Sequence, residues 1–121
     1  MLGHVNNVNL QHYFDLGKSD FFRTVFGLVQ MGKGEELITA STSTSYIEQT
    51  RYDDRIYVET SIEKIGNKSF TVFQRIINAA TGKVHAESRT VMVCYDFTLQ
   101  TSISIPAEWR RKMEAVLENE K

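Results

Sequence analysis

Cysteine, proline and tryptophan each occur once in the 121 residues and histidine three times, and neither sign of charge prevails, with fourteen lysines and arginines against fifteen aspartates and glutamates. The single cysteine, Cys94, excludes an internal disulfide, and its neighbours Val93 and Tyr95 make it a buried thiol of a reducing compartment. Nothing beside it in sequence, neither a base nor a helix start, would lower its pKa for nucleophilic work. Basic residues are scattered singly except for Arg110, Arg111 and Lys112, which argues against the basic face of a nucleic-acid binder. The dispersed histidines His4, His12 and His85 form no metal-ligand cluster, and no metal is expected. No apolar run is long enough to span a bilayer, and the first residues lack the basic and then apolar pattern of a secretory leader. A cytoplasmic protein without membrane partners is the expectation.

What is present has the balance of a globular chain, 41% hydrophobic and 24% charged, and a length suited to one domain over residues 1–121. From Asn9 to Phe26, Leu10, Tyr13, Phe14, Gly17, Phe21, Val25 and Phe26 recur at steps of three and four, which predicts a helix with one apolar stripe. Asn7 or Asn9 can cap it. Gly17 lies in the stripe, where a missing Cβ lets another backbone approach closely. Beyond the glycine-bearing loop at residues 31–34 the period changes to two. Leu37 to Ile47, Arg55 to Lys64, Phe70 to Ile77 and Val84 to Tyr95 read as strands, the second with Ile56, Val58, Thr60 and Ile62 on one face. Gly66-Asn67 and Thr81-Gly82 mark hairpins in which glycine can supply a positive φ. Ser102 to Ile105 is a candidate edge strand, and Pro106 opens a short amphipathic helix from Ala107 to Glu118 carrying Trp109, Met113, Val116 and Leu117. One helix followed by hairpin-linked strands makes an α+β layer arrangement with an antiparallel sheet. A strand is expected ahead of the helix, and the sequence shows none.

Three stretches carry a likeness to a known family: GHVNNVNLQHYFDLGKSDFF, then SYIEQTRYDDRIYVETSIEKIGNKSFTVFQRIINAATGKVHAESRTVMVCYD, then the IPAEW tail. Over nearly its whole length the chain resembles the hotdog-fold acyl-CoA thioesterases of the 4-hydroxybenzoyl-CoA thioesterase and YbgC-like group. The most specific parts are Gly3-His4-Val5-Asn6-Asn7, the Asp53-Asp54 turn, and Ile65-Gly66 with Ser69 three residues on. The resemblance implies a curved antiparallel sheet wrapped around a central helix and a homodimer or homotetramer with active sites between protomers. It implies an acyl-CoA substrate, so that CoA is part of the substrate and no cofactor is retained. Members of the family carry Asp-x-x-Gly at the start of the helix, the Asp being catalytic. Three back from Gly3 falls just before Met1, so the resemblance places the first strand and that carboxylate upstream of this reading.

Thioester hydrolysis needs an attacking water or carboxylate and donors aimed at the oxygen that becomes negative. A helix N-terminus offers unpaired amides and a favourable dipole, and the resemblance puts the backbone N–H of Asn7 at the polarising position; a plain helix cap is the other reading of that residue. His4 can orient substrate or move a proton near neutral pH, or serve only as a loop hydrogen-bonding group, and Asn6 completes the candidate catalytic set. Asp15 matches a family position commonly held by Glu, and pairing with Lys18 on the helix surface is its simpler role. Asp53 and Asp54 are read as turn residues. Gly66, Lys68 and Ser69 are candidate substrate-binding residues: a close backbone approach, a point charge for a CoA phosphate, and a hydroxyl donor. Tyr46 is a candidate wall of the substrate pocket, with Phe70, Phe73 and Met92 as core or pocket lining. Two further readings stand beside acyl-CoA hydrolysis, a non-catalytic hotdog module that dimerises or binds acyl-thioesters and a thioesterase acting on acyl carrier protein.

Overall fold

The protein is described from a computed structural model, which covers residues 7–27 and 32–119. The predicted first helix is α1, Asn7–Phe26. Leu10 and Phe14 fall four apart on one side of it and are buried, while Phe21, Phe22, Val25 and Phe26 carry the same side to its far end. Gly27 ends the helix: its N–H donates to the Arg23 carbonyl at 2.9 Å and its φ of 58° is one that glycine adopts without strain.

The strands are β1 (Glu35–Tyr46), β2 (Ile56–Ile65), β3 (Ser69–Asn78), β4 (Val84–Asp96) and the two-residue β5 (Thr101–Ser102), followed by α2 (Ala107–Asn119). All pairings are antiparallel, in the spatial order β1-β4-β3-β2. β5 pairs with Tyr95 and Asp96 of β4, whose other side is taken by β1, so it lies beyond the end of β3. Register shifts at Thr39/Ser41, Ile62/Lys64 and Ile76/Ile77 mark irregularities that bend and twist a sheet. Among the described residues the outer edges of β1 and β2 have no strand partner.

Because β1 and β2 lie at opposite edges, residues 47–55 must cross the end of the β3–β4 hairpin. They are fastened there. The Ile47 and Glu48 N–H groups both donate to the His85 carbonyl, at 2.8 and 3.1 Å, and Ala79 N–H donates to the Arg55 carbonyl at 2.8 Å. The Thr50 hydroxyl and His85 Nδ1 lie 2.8 Å apart in a buried contact.

On the helix-facing side of the sheet, register aligns one residue from each long strand in rows. Val58, Ile76 and Ala86 form one row, ending on β1 at Tyr46, and with Leu10 and Phe14 they make one apolar cluster. The far end holds a larger cluster of Phe26, Ile62, Phe70, Val72, Met92, Cys94, Trp109 and Met113, in which Trp109 stacks on Phe26 with ring centroids 4.0 Å apart. Between them runs a polar row: Thr60, Gln74, Ser88 and Thr44. Gly17 of α1 comes down on this row, and a Cβ there would stand 2.8 Å from Val58 Cγ1 and 3.0 Å from Gln74 Nε2. The approach at this glycine is tight, as its place in the stripe predicts, but what comes close is side chains of β2 and β3 and not another backbone.

The other side of the sheet carries charges. Arg75 pairs with Glu59, and Arg89 Nε donates to Glu63 Oε2 at 2.8 Å. Phe73, expected in the core or pocket wall, stands on this outer side with the Arg89 guanidinium 4.5 Å from its ring centroid. The reason is parity: it is odd-numbered in a strand whose even positions, Phe70, Val72, Gln74 and Ile76, face the helix.

Candidate active site

The site is built from α1 outward. Asn7 is the first residue of the helix, so its backbone N–H is among the four that helical geometry leaves without an internal partner. The first turn holds no acidic residue, which leaves the positive end of the dipole uncompensated by the helix's own side chains. His4 and Asn6 lie outside the described residues. Under this end of α1 is the cluster of Leu10, Phe14, Ile76 and Ala86, and Tyr46, paired with Ala86 and 42% exposed, stands at its open β1 side. Tyr46 therefore shares the helix N-terminal end of the sheet with Asn7.

Gly66, Lys68 and Ser69 do not. They form the β2–β3 turn at the opposite end, beside the cluster that receives Phe26. A helix of α1's length runs about 30 Å, so within one chain the two groups of candidate residues are kept far apart. The turn is firmly held: Gly66 N–H donates to the Ser69 carbonyl at 2.7 Å, Cys94 N–H to the Lys68 carbonyl at 3.0 Å, and Ile105 N–H to the Asn67 carbonyl at 2.9 Å. Arg110 of α2 bridges two carbonyls through one nitrogen, with Nη2 2.6 Å from the Gly66 carbonyl oxygen and 3.2 Å from that of Asn67. Lys68 is exposed and Ser69 half-buried, so a charge and a hydroxyl are displayed from a fixed backbone. Gly66 is not in the positive-φ region that Gly82, at 75°, occupies in the other hairpin. Its requirement is space, since a Cβ would sit 3.2 Å from the Ser69 carbonyl oxygen.

The carboxylates with family-like positions are engaged locally. Asp15 Oδ1 accepts from Gln11 Nε2 at 3.2 Å and lies 3.8 Å from Lys18 Nζ. It stands two turns along the helix from Asn7, about 12 Å. Asp54 closes its turn, accepting from the Arg51 N–H at 2.9 Å while its own N–H returns to the Arg51 carbonyl. Among the described residues no three His, Cys, Asp or Glu side chains converge as a metal ion would require, and no helix is long and apolar enough to cross a membrane. Burial pushes the Cys94 thiol up to about 11, which suits a packed core group and not a nucleophile.

Sequence reasoning missed three side chains. Arg110 reads in sequence as one of a surface basic triplet; only the fold shows it reaching the turn. His85, isolated in sequence, is buried between Thr50 and the Asn78 amide. Gln74 was legible only as an uncharged polar residue at a position whose strand period points inward, and it is 1% exposed.

Residues 1–115 match the family model of the thioesterase-like superfamily. The chain belongs to that superfamily. Its fold is the hotdog fold, α+β, and solved structures align with this thioesterase-like chain over most of its length. A predicted thioesterase from Bacillus stearothermophilus is 29% identical, with a TM-score of 0.80 over 94% of this chain and 84% of its own. A Staphylococcus aureus protein solved in complex with CoA is 15% identical, with a TM-score of 0.86 over 98% and 76% of the two chains. The 1,4-dihydroxy-2-naphthoyl-CoA thioesterase of Synechocystis is 17% identical, with a TM-score of 0.80 over 92% and 83%. The last two likenesses are of fold. No curated protein matches the chain in sequence.

Proposed function

We propose that this thioesterase-like chain hydrolyses an acyl-CoA to a free acid and CoA, at a site shared between two copies. The observation that carries the reading is the amide-presenting start of α1 on the helix-facing side of the sheet, in a chain of the thioesterase-like superfamily. The Asn7 N–H and the helix dipole would stabilise the oxyanion that forms as the thioester carbonyl is attacked. A carboxylate would activate water or attack directly, and CoA leaves as the thiol product. His4 and Asn6 would orient the acyl group or relay a proton.

The partner copy supplies what one chain separates. Pairing of the free β1 edges is the route we propose, giving a homodimer in which one chain's Asn7 and Tyr46 meet substrate whose CoA portion is held by Gly66, Lys68 and Ser69 of the other. A CoA complex of a fold neighbour supports the ligand class. Metal ions and retained cofactors have no part in the reading, and a cytoplasmic location fits a CoA ester as substrate.

One observation favours a second reading. The first turn of α1 carries no acid, and Asp15 is held by Gln11 and Lys18, so a chain that binds acyl-thioesters without cleaving them is the alternative. Thiol release from short, aromatic and medium-chain acyl-CoAs separates the two. Turnover establishes the hydrolase. Binding of the same esters without thiol release establishes the passive module, and turnover confined to acyl carrier protein thioesters redirects the substrate class.

A further inference from the structure

In the polar row between the two apolar clusters, Gln74 is hydrogen-bonded to the helix. Ser88 and Thr44 satisfy each other at 3.1 Å, and the Thr60 hydroxyl accepts from Gln74 Nε2, also at 3.1 Å. The other proton of that amide nitrogen goes to the backbone carbonyl of Phe14 in α1, at 2.8 Å. The amide's orientation is fixed by its partner, because a carbonyl oxygen can only accept and the nitrogen must face it. Gln74 Oε1 is therefore turned away, fully buried and, among the described residues, without a hydrogen-bond partner.

For stability alone this is a poor arrangement. An unsatisfied buried acceptor forfeits the hydrogen bonds it made to water in the unfolded chain, and a side chain of similar length without polar atoms would avoid that cost. What the arrangement supplies is direction. The N-terminal half of α1 otherwise rests on the sheet through Leu10 and Phe14 against Ile76 and Ala86, and apolar contact is non-directional and tolerates sliding. The bond to Phe14 does not. Gly17, one turn on, lets the helix descend until the amide can reach its backbone.

We infer that Gln74 is a positioning residue for α1, setting where the first-turn amides stand relative to the sheet. The inference rests on the oxyanion role proposed above. Phe14 is about 10 Å along a stiff helix from Asn7, so an axial shift at one is delivered to the other. A misplacement of about 1 Å at reacting groups can lower a rate about 100-fold.

The test is Gln74→Met, read in two ways. With acyl-CoA, kcat is expected to fall by about tenfold or more while KM stays within about twofold, the mark of a contribution made in the transition state, and the melting temperature is expected to hold or rise. Independently of any activity, amide shifts and dipolar couplings are expected to show α1 displaced along its axis over β3 in the variant. An unmoved helix, or a moved helix with full kcat, overturns the inference. A wild-type chain that cleaves no acyl-CoA overturns the functional reading instead, and the position of the helix still decides for or against Gln74. If the Met variant fails to fold, Gly17→Ala, which lifts α1 from the same amide, must show the same loss of kcat; full activity there overturns it.

Discussion

A methyl group at residue 17 sets two effects of known size against each other. Alanine is favoured over glycine inside a helix by about 1 kcal/mol, while forcing atoms into a packed interface costs about 1–3 kcal/mol. Here the incoming Cβ would meet Val58 Cγ1 at 2.8 Å and Gln74 Nε2 at 3.0 Å, and that nitrogen is held by two hydrogen bonds, so it cannot swing aside. The steric term wins. Gly17→Ala is expected to lower stability by about 1 kcal/mol, seen as a lower urea midpoint at unchanged slope, and an unchanged or higher midpoint would show that the helix can lift freely. The glycine's role was legible because it interrupts an apolar stripe. The identity of what it meets was not, since Val58, Thr60 and Gln74 are brought beneath it by strand register and not by sequence proximity. Asp15 and the Asp53-Asp54 turn were legible for the opposite reason, their partners being within four residues. The candidate roles of His4 and Asn6 fall outside the described residues.

Among elements, α2 has a task beyond covering the larger cluster. Its Trp109 and Met113 are buried, and the same turn of helix aims Arg110 at the carbonyls of Gly66 and Asn67. Asn67 keeps a second donor in Ile105, whereas Gly66 would lose its carbonyl's partner. Arg110→Ala is expected to lower stability by about 1 kcal/mol. At the turn, exchange of the Gly66 and Ile105 amides should speed about fivefold, the same energy read as a local opening, with Val72 unchanged. Uniform acceleration throughout β3 would mean that α2 supports the sheet as a whole and not this turn. Element identities followed from the sequence because hydrophobic period is a local property: α1 starts two residues before the predicted Asn9, and each long strand is found within two residues of its expected bounds. Which strand lies beside which is not local. The passage of residues 47–55 from one sheet edge to the other, and with it the burial of His85, depends on β4 entering between β1 and β3.

At the scale of the molecule the question is whether the polar row divides the protein into two units or whether α1 binds them into one. The helix contributes Leu10 and Phe14 to one cluster and Phe26 to the other, so neither cluster can open without losing helix contacts that the other shares. We expect one cooperative transition, with Trp109 fluorescence and the exchange of the Ile76 and Ala86 amides reporting the same free energy. Cys94 gives this an independent, pH-dependent check. Its thiol lies in the larger cluster, where burial raises its pKa from 9.0 to about 11. Below 9.0 the thiol is neutral in both the folded and unfolded chain, and its contribution to stability is fully present. As pH rises from there toward 11 the unfolded chain loses the proton first, so stability falls through that window. The difference between wild type and Cys94→Ala, measured by urea titration at each pH, isolates the thiol from every group the two chains share. That difference should be flat up to about pH 9 and should shrink above it. If Ile76 and Ala86 lost no protection over the same window while Trp109 did, the two clusters would be separate cooperative units and α1 would not couple them.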